Sequence, residues 1–319
     1  MTTCLAAPPH GRDKLSRNAV IYGCIDIGSN TTRLLVATGG SGERRLHQLV
    51  AQRSFTRLGR SLDDDGRIPE EKIAETAAVA GAQARLAREA GAGAGALVAV
   101  ATAAVRDAVN RDELAAAVED AAGVELGILD ASEEARLSFV GATRTLPEPA
   151  QGTIAVVDVG GGSTEIAVGA PDGAVEWSRS VRVGSGMLAD AHLRSDPPAT
   201  TELDAARDHV NGLFAGLAAP DATMAVAVGG TATSLHRLVG GELDGRTLAE
   251  GVRVLSRTRI DEVARRFELD PERVRLLPAG IIVLGAVCAC LGLPLRIARG
   301  GLREGVILEL IDASETGEA

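Results

Sequence analysis

The chain has 319 residues, 45% of them apolar and 24% charged, with a formal charge of −10. That length suits two domains and that composition suits a packed core. Net acidity argues against a broadly basic surface for nucleic acid or an anionic membrane. Four Phe, one Trp and one Tyr leave the core to Ala, Val, Leu and Ile, with no aromatic platform for stacking single-stranded bases. Lys occurs only at Lys14 and Lys72, which excludes a G-x-x-x-x-G-K-[ST] phosphate loop. Positive charge is therefore Arg, a side chain that can clamp phosphate oxygens bidentately. Four Cys without C-x-x-C spacing and five scattered His predict a reduced, cytoplasmic protein without a zinc site.

In chain order, residues 1–18 carry no continuous apolar signal core and predict a flexible extension. Residues 19–27 are an apolar run, followed by a tight Gly turn and a second strand. A strand at 46–55, a Gly/Asp-rich loop at 58–67 and a helix at 69–90 follow. The helix is marked by Pro69, by Glu70 and Glu71 in its first turn, and by Gly91 after its end. Small apolar residues at 94–101 form a strand, 102–110 a loop entering a helix at 111–122, and 124–129 a short strand. A helix opens at 132–140, with Ser132 as N-cap and Glu133 and Glu134 in its first turn. Residues 143–152, with two Pro and a Gly, read as a linker. Beyond it come a second strand–turn–strand from 153, a helix at 201–217, a strand at 224–228, helices at 232–239, 279–293 and 305–311, and a strand at 296–298. The run at 279–293 is too short and Gly/Ala-rich for a membrane span and reads as a buried helix. Alternating strands and helices imply an α/β architecture.

The most informative feature is a near-repeat: Asp26-Ile-Gly-Ser-Asn-Thr-Thr-Arg33 and Asp158-Val-Gly-Gly-Gly-Ser-Thr-Glu165. Each places small residues in a turn where backbone amides can converge on an anion. The aspartate before each turn, Asp26 or Asp158, suits a hard cation accompanying phosphate. Glu165 stands where the first copy has Arg33. A third Gly turn, Gly229-Gly230-Thr231, joins a strand to a helix and offers another phosphate seat. Any single such turn can be a turn with no ligand; two that match each other suggest a duplicated fold closing on phosphate from both sides. Thr102, Arg106 and Asn110 recur at spacing four, on one face if the segment is helical. Arg106 is a candidate to neutralise a transferred phosphoryl group, or else a salt-bridged surface residue. Adjacent Glu133 and Glu134 can serve as cap and dipole partners, or one can orient a nucleophile.

Together these residues resemble the exopolyphosphatase/guanosine pentaphosphate phosphohydrolase family, over about residues 22–310. The matching motifs are Asp26-Ile-Gly-Ser-Asn30 with Arg33, Arg57-Leu-Gly59, Ala101-Thr-x-x-x-Arg106-x-x-x-Asn110 and Glu133-Glu-Ala-Arg136. Asp158-x-Gly-Gly-Gly-Ser-Thr-Glu165, Gly229-Gly-Thr231 and Gly301-Leu-Arg-Glu-Gly305 complete the set. The resemblance implies two ribonuclease-H-like domains of the sugar kinase, heat-shock chaperone and actin superfamily, at 19–131 plus 306–319 and at 132–305, with the site in an interdomain cleft. It makes Glu134 the general base for water. It gives Asp158 and Glu165 to a divalent metal, expected to be Mg²⁺, with Asp26 opposite. Amides at Gly28, Ser29 and Asn30, at Gly160, Gly161, Gly162 and Ser163, and at Gly229, Gly230 and Thr231 would seat phosphates, and Arg106 would steady the transferred group. The expected substrates are inorganic polyphosphate and guanosine pentaphosphate, with no nucleic acid or membrane partner and a homodimer as the assembly. The segment Val183-Gly-Ser-Gly-Met187 departs from the commonest family pattern. An ATP-dependent kinase or ATPase of the same fold, and a non-catalytic sensor that binds guanosine tetraphosphate or polyphosphate, are the competing readings; an intact Glu134, Asp158 and Glu165 speak against the sensor.

Overall fold

The structure, a computed structural model, describes residues 3–4, 20–40, 46–63 and 65–316. The expected flexible extension at 1–18 lies, apart from Thr3–Cys4, outside the described residues. The chain divides into two units, Met1–Leu137 with Leu302–Ala319, and Ser138–Gly301.

In the first unit, β2 (Ile21–Ile27) and β3 (Thr32–Thr38) form the hairpin, and β4 (His47–Ser54) continues it antiparallel. The two-residue β1 (Thr3–Cys4) pairs with β4. On the other side β5 (Leu97–Ala101) and β6 (Leu126–Ile128) add in parallel. The strand order is β1-β4-β3-β2-β5-β6. Both faces of this sheet are covered, which is why β2 and β3 read as continuous apolar runs rather than alternations. Ile25, Ile27, Leu34 and Val36 pack with Ala77, Ala80, Ala84 and Ala87 of α2 (Glu70–Glu89) and with Leu114 and Val118 of α4 (Arg111–Ala122). Residues of opposite parity, Tyr22, Cys24, Leu35 and Ala37, pack with Leu302, Val306, Ile307 and Ile311 of α12 (Leu302–Thr316).

The second unit repeats the plan. Here β7 (Ile154–Val159), β8 (Thr164–Gly169) and β9 (Val175–Val181) are antiparallel, while β10 (Met224–Val228) and β12 (Leu295–Ile297) are parallel to β7. The short β11 (Glu242–Leu243) closes the order β11-β12-β10-β7-β8-β9. Three antiparallel strands followed by two parallel ones, in the same spatial order in both units, is the duplication expected from the repeat and the ribonuclease-H-like arrangement that the resemblance implies. Helices α6 (Ser185–His192), α7 (Thr200–Phe214), α8 (Gly229–Val239), α9 (Gly245–Leu255), α10 (Ile260–Phe267) and α11 (Pro271–Leu291) complete the unit. Val274, Leu277, Ile281 and Leu284 of α11 are buried in its main core. By length and composition α11 could cross a membrane, but most of its apolar window is buried within this unit, as expected of a core helix.

Several expectations are revised. The loop at 58–67 opens with a turn of helix, α1 (Leu58–Ser61). Thr102, Arg106 and Asn110 do not share a helix face: α3 (Ala103–Arg106) ends at Arg106, and Asn110 precedes α4. Asn110 instead fixes a neighbouring loop, its side chain accepting from Ile68 N at 2.8 Å and donating to Ile68 O at 3.0 Å. α5 spans Ala131–Arg144, and its cap is Asp130 rather than Ser132. Asp130 Oδ1 accepts from Glu133 N at 2.8 Å and from Ser132 Oγ at 2.7 Å. α11 begins eight residues earlier than 279, at Pro271, because Asp270 caps it and Pro at the first position suits a helix start. The internal Pro278, which reads as a breaker, is tolerated in a helix held by burial on many sides.

An aromatic-poor core demands close helix contacts. At the α2–α4 seam a side chain on Gly81 would come 2.7 Å from Ala121 O. Gly81→Leu is therefore expected to destabilise the protein by about 1–3 kcal/mol, read as a lower denaturation midpoint. Gly95→Ala, which meets nothing within 4 Å, should leave that midpoint in place.

Candidate active site

Each unit puts its distinctive residues at the carboxyl ends of the parallel strands, where open α/β sheets bind ligands. In the first unit the end of β2 turns at Gly28, whose N–H donates to Thr31 O at 3.0 Å. The turn is braced from behind: Gly59 N donates to Ser29 O at 2.8 Å and Arg57 N to Asn30 O at 3.1 Å. Arg57 adopts a left-handed conformation, with φ 54°, an uncommon backbone state for a residue other than Gly. The motif Arg57-Leu-Gly59 thus shapes the first turn.

The second unit reproduces that turn atom for atom. Gly160 N donates to Ser163 O at 3.0 Å, and a side chain on either Gly28 or Gly160 would come within 3.2 Å of the equivalent carbonyl. Its brace is the start of α6: Ser185 N donates to Gly160 O and Met187 N to Gly161 O, both at 2.9 Å. A side chain at Gly184 would run into the backbone of Gly161 and Gly162. The segment 183–187, in which the sequence showed only a departure from pattern, is therefore structural support for the second turn. Its signal was the three small residues Gly184, Ser185 and Gly186.

The third Gly turn lies beside Asp158. Gly229 has φ 80°, and a Cβ there would overlap the Asp158 carboxylate. Gly230 faces the Arg273 guanidinium, with a would-be Cβ 2.7 Å from Nη2. Arg273 is buried, so the sequence, with 31 arginines to choose among, gave no reason to single it out. Thr231 Oγ1 donates to Val159 O at 3.1 Å, tying the start of α8 to the end of β7. Gly301 also approaches Asp158, at 4.0 Å from a would-be Cβ to Oδ2.

The duplicated aspartates have diverged in company. Asp26 lies directly opposite Arg33 in the ladder and accepts from its Nη2 at 2.6 Å and its Nε at 3.1 Å. Asp158 lies directly opposite Glu165. Ser138 Oγ donates to Asp158 Oδ2 at 3.2 Å and Ser180 Oγ to Glu165 Oε1 at 2.7 Å. Two carboxylates opposed on one sheet face repel, and a shared divalent cation relieves that repulsion. Mg²⁺ characteristically takes one or two carboxylates and completes its shell with substrate phosphate and water. Among the described residues no three His, Cys, Asp or Glu side chains form a ready-made metal cage. The donor set therefore fits a cation held by Asp158 and Glu165 together with a phosphate. Asp26 would join such a cation only in exchange for Arg33.

Arg106 and Glu134 meet in the first unit. Arg106, at the last residue of α3, donates through Nη1 to Glu134 Oε2 at 2.8 Å and to Leu129 O at 3.0 Å. Both side chains are largely buried. The neighbouring Glu133 is committed elsewhere. Arg136 donates to both its carboxylate oxygens at 2.7–2.8 Å and also binds Glu309 of α12. Hydrogen bonds from Arg136 hold the Glu133 carboxyl below its ordinary range. The Asp130 carboxyl is likewise held low, first by Glu133 N–H and then by Ser132 Oγ–H. Of the acidic pair only Glu134 faces Arg106. Cys24, on the Asp26 face of β2, is no rival nucleophile: burial, and then the Asp26 charge, push its thiol far above the usual range.

Gly229→Ala should place a methyl against Asp158 on a backbone that disfavours it. Turnover is expected to fall at least about tenfold with an unchanged far-ultraviolet circular dichroism spectrum, and full activity would separate this turn from the site.

The Ppx/GppA phosphatase family model matches residues 35–314. Exopolyphosphatase 1 of Mycobacterium tuberculosis is 32% identical over 317 residues, covering 93% of this chain and 90% of that protein. A guanosine-5′-triphosphate,3′-diphosphate pyrophosphatase of Aeromonas hydrophila is 27% identical, covering 92% of this chain and 60% of its own length. Among solved structures, the Aquifex aeolicus Ppx/GppA family member superposes with a TM-score of 0.76 at 26% identity, over 92% of this chain and 98% of that one. An exopolyphosphatase from Cytophaga hutchinsonii shares the fold with a TM-score of 0.79 at 20% identity, again over 92% and 98%. With its duplicated turns, its paired sheets and this likeness along nearly its whole length, the chain belongs to the Ppx/GppA phosphatase family and is a phosphatase hydrolase.

Proposed function

We propose that the protein is an exopolyphosphatase, removing the terminal phosphate of inorganic polyphosphate with Mg²⁺ as cofactor, and that guanosine pentaphosphate is a related substrate. The observation that carries this reading is the pair of equivalent glycine turns, each preceded by an aspartate and each braced from behind. A linear chain of phosphates offers repeated anions for repeated amide seats, and the reading requires one substrate to engage residues of both units. Exopolyphosphatase 1 of Mycobacterium tuberculosis, matched over 90% of its length, supports polyphosphate over the nucleotide as main substrate.

Gly28 and Gly160, expected to offer amides to phosphate, instead spend their N–H groups closing the turns; on this reading the amides at 29–30, 161–163 and 229–231 bind phosphate oxygens, with the α8 N-terminus adding its partial positive charge. Asp158 and Glu165 would hold the cation, which would supply positive charge against the phosphates. Arg106 releases Glu134 as the terminal phosphate takes its guanidinium, so one side chain both stabilises the transferred group and frees the base. Glu134 then accepts a proton from water as the water attacks the terminal phosphorus, and the shortened chain departs as the leaving group. The Asp130 cap holds the first turn of α5, which carries Glu134.

Phosphate release from polyphosphate, guanosine pentaphosphate and ATP, each with and without Mg²⁺, tests the assignment. Polyphosphate should be fastest, with activity abolished by chelation and restored by Mg²⁺; equal release from ATP would favour the ATPase reading. Glu134→Gln should lower turnover by about 10²–10⁴ with substrate binding retained. Arg106→Ala should lower it by about 10²–10³. Normal turnover in a pure Glu134→Gln preparation would remove that residue from the proton transfer.

A further inference from the structure

The second unit contains a cavity of about 550 Å³ between α7, α9 and α11 that the phosphatase reading does not use. That volume lies within the range of small-molecule sites. Its floor is apolar, made by Leu248 and Val252 of α9 and Ile281 and Ile282 of α11. Gly285 opens the floor: a Cβ there meets nothing within 4 Å, in a helix whose neighbouring positions are bulky Leu284 and Val287 turned into the core.

The mouth has the opposite chemistry. Arg207, Arg253 and Arg257 are among the cavity's lining residues, the first two with exposed side chains, and no acidic residue is among the described lining residues. Arg207 and Arg253 each make one exposed pair along their own helix, to Asp204 and Glu250. Such pairs are weak enough to be exchanged for a ligand. Arg257 has no ion-pair partner among the described residues. No aromatic side chain lines the cavity, so nothing there would stack on a ring. An apolar trough ending at clustered arginines matches a molecule with an apolar tail and a single anionic head.

We propose that this cavity binds an amphipathic anion, an unbranched alkyl or acyl chain on the apolar floor with its carboxylate or phosphate head at the three arginines. The site is independent of the phosphatase assignment, since none of its residues belongs to that machinery.

Titration calorimetry on the full chain tests it, with dodecanoate and dodecyl phosphate as probes below their micelle concentrations. Dodecanol and dodecyltrimethylammonium serve as neutral and cationic controls. One equivalent of either anion should bind, the better of the two identifying the head group, while the cation should not bind. Gly285→Leu, which fills open space, should abolish binding. The exposed substitution Arg257→Glu should weaken it about tenfold or more. Phosphate release should be unchanged in both variants. Absence of anion binding, equal binding of the cation, or undiminished binding by Gly285→Leu would overturn the proposal. So would a wild-type dimer that Gly285→Leu dissociates, because the trough would then be covered by a second copy.

Discussion

A backbone can carry an anion only where its amides are turned outward and no side chain stands in front of them. At the end of β2 and again at the end of β7 the chain turns back on itself, Gly28 N to Thr31 O and Gly160 N to Ser163 O, and on the proposed reading the amides that follow meet phosphate. A turn of that kind is soft, and each is stiffened by a separate piece of chain. The first rests on Arg57 and Gly59, the second on Ser185 and Met187. The steric demands follow from this contact, not from the turns alone: Gly59 crowds Ser29, and Gly184 crowds Gly161. Gly28, Gly59, Gly160, Gly184 and Gly186 are thus explained by close packing around two turns.

The strands that end in those turns are buried on both faces, and this makes the position of each aspartate costly. Asp26 and Asp158 are penultimate residues of otherwise apolar strands. Asp26 is buried and Asp158 partly so; a desolvated carboxylate needs compensation, and the two copies differ in what stands opposite it. In the first unit the cross-strand residue is Arg33, and the pair is closed within the protein. In the second it is Glu165, which adds negative charge instead of cancelling it. Serine hydroxyls donate to both carboxylates, and the proposed cation would add to that compensation.

The fold was legible because its strongest signals are local. The apolar runs of β2, β7 and β10 and the Gly turns after them carry the duplication in plain sequence, and α4 and β10 fell where their caps and runs placed them. What escaped depends on contacts distant in the chain. Asp130 outcompetes Ser132 as the α5 cap because its side chain reaches both Ser132 and Glu133. Asn110 is spaced like a site residue yet clamps Ile68, a partner no periodicity reveals. The charged helices α9 and α10 have neither a Gly turn nor a long apolar run to announce them. Arg273 was hidden among many arginines until its burial against Gly230 set it apart.

Divergence at the cross-strand position also rationalises why one fold copied twice need not do one job twice. Arg33 keeps Asp26 engaged, so the first unit offers guanidinium chemistry at its strand ends: Arg33 on Asp26, Arg106 on Glu134. The second unit offers carboxylates opposed to one another and a glycine turn kept clear of side chains beside them. A polyanion undergoing hydrolysis needs both kinds of help, a cation to gather its charge and a base with a guanidinium companion to direct water. On the proposed reading the duplication supplied two equivalent anion seats, and the exchange of one residue, Arg33 against Glu165, gave the first unit the water-directing task and the second the metal.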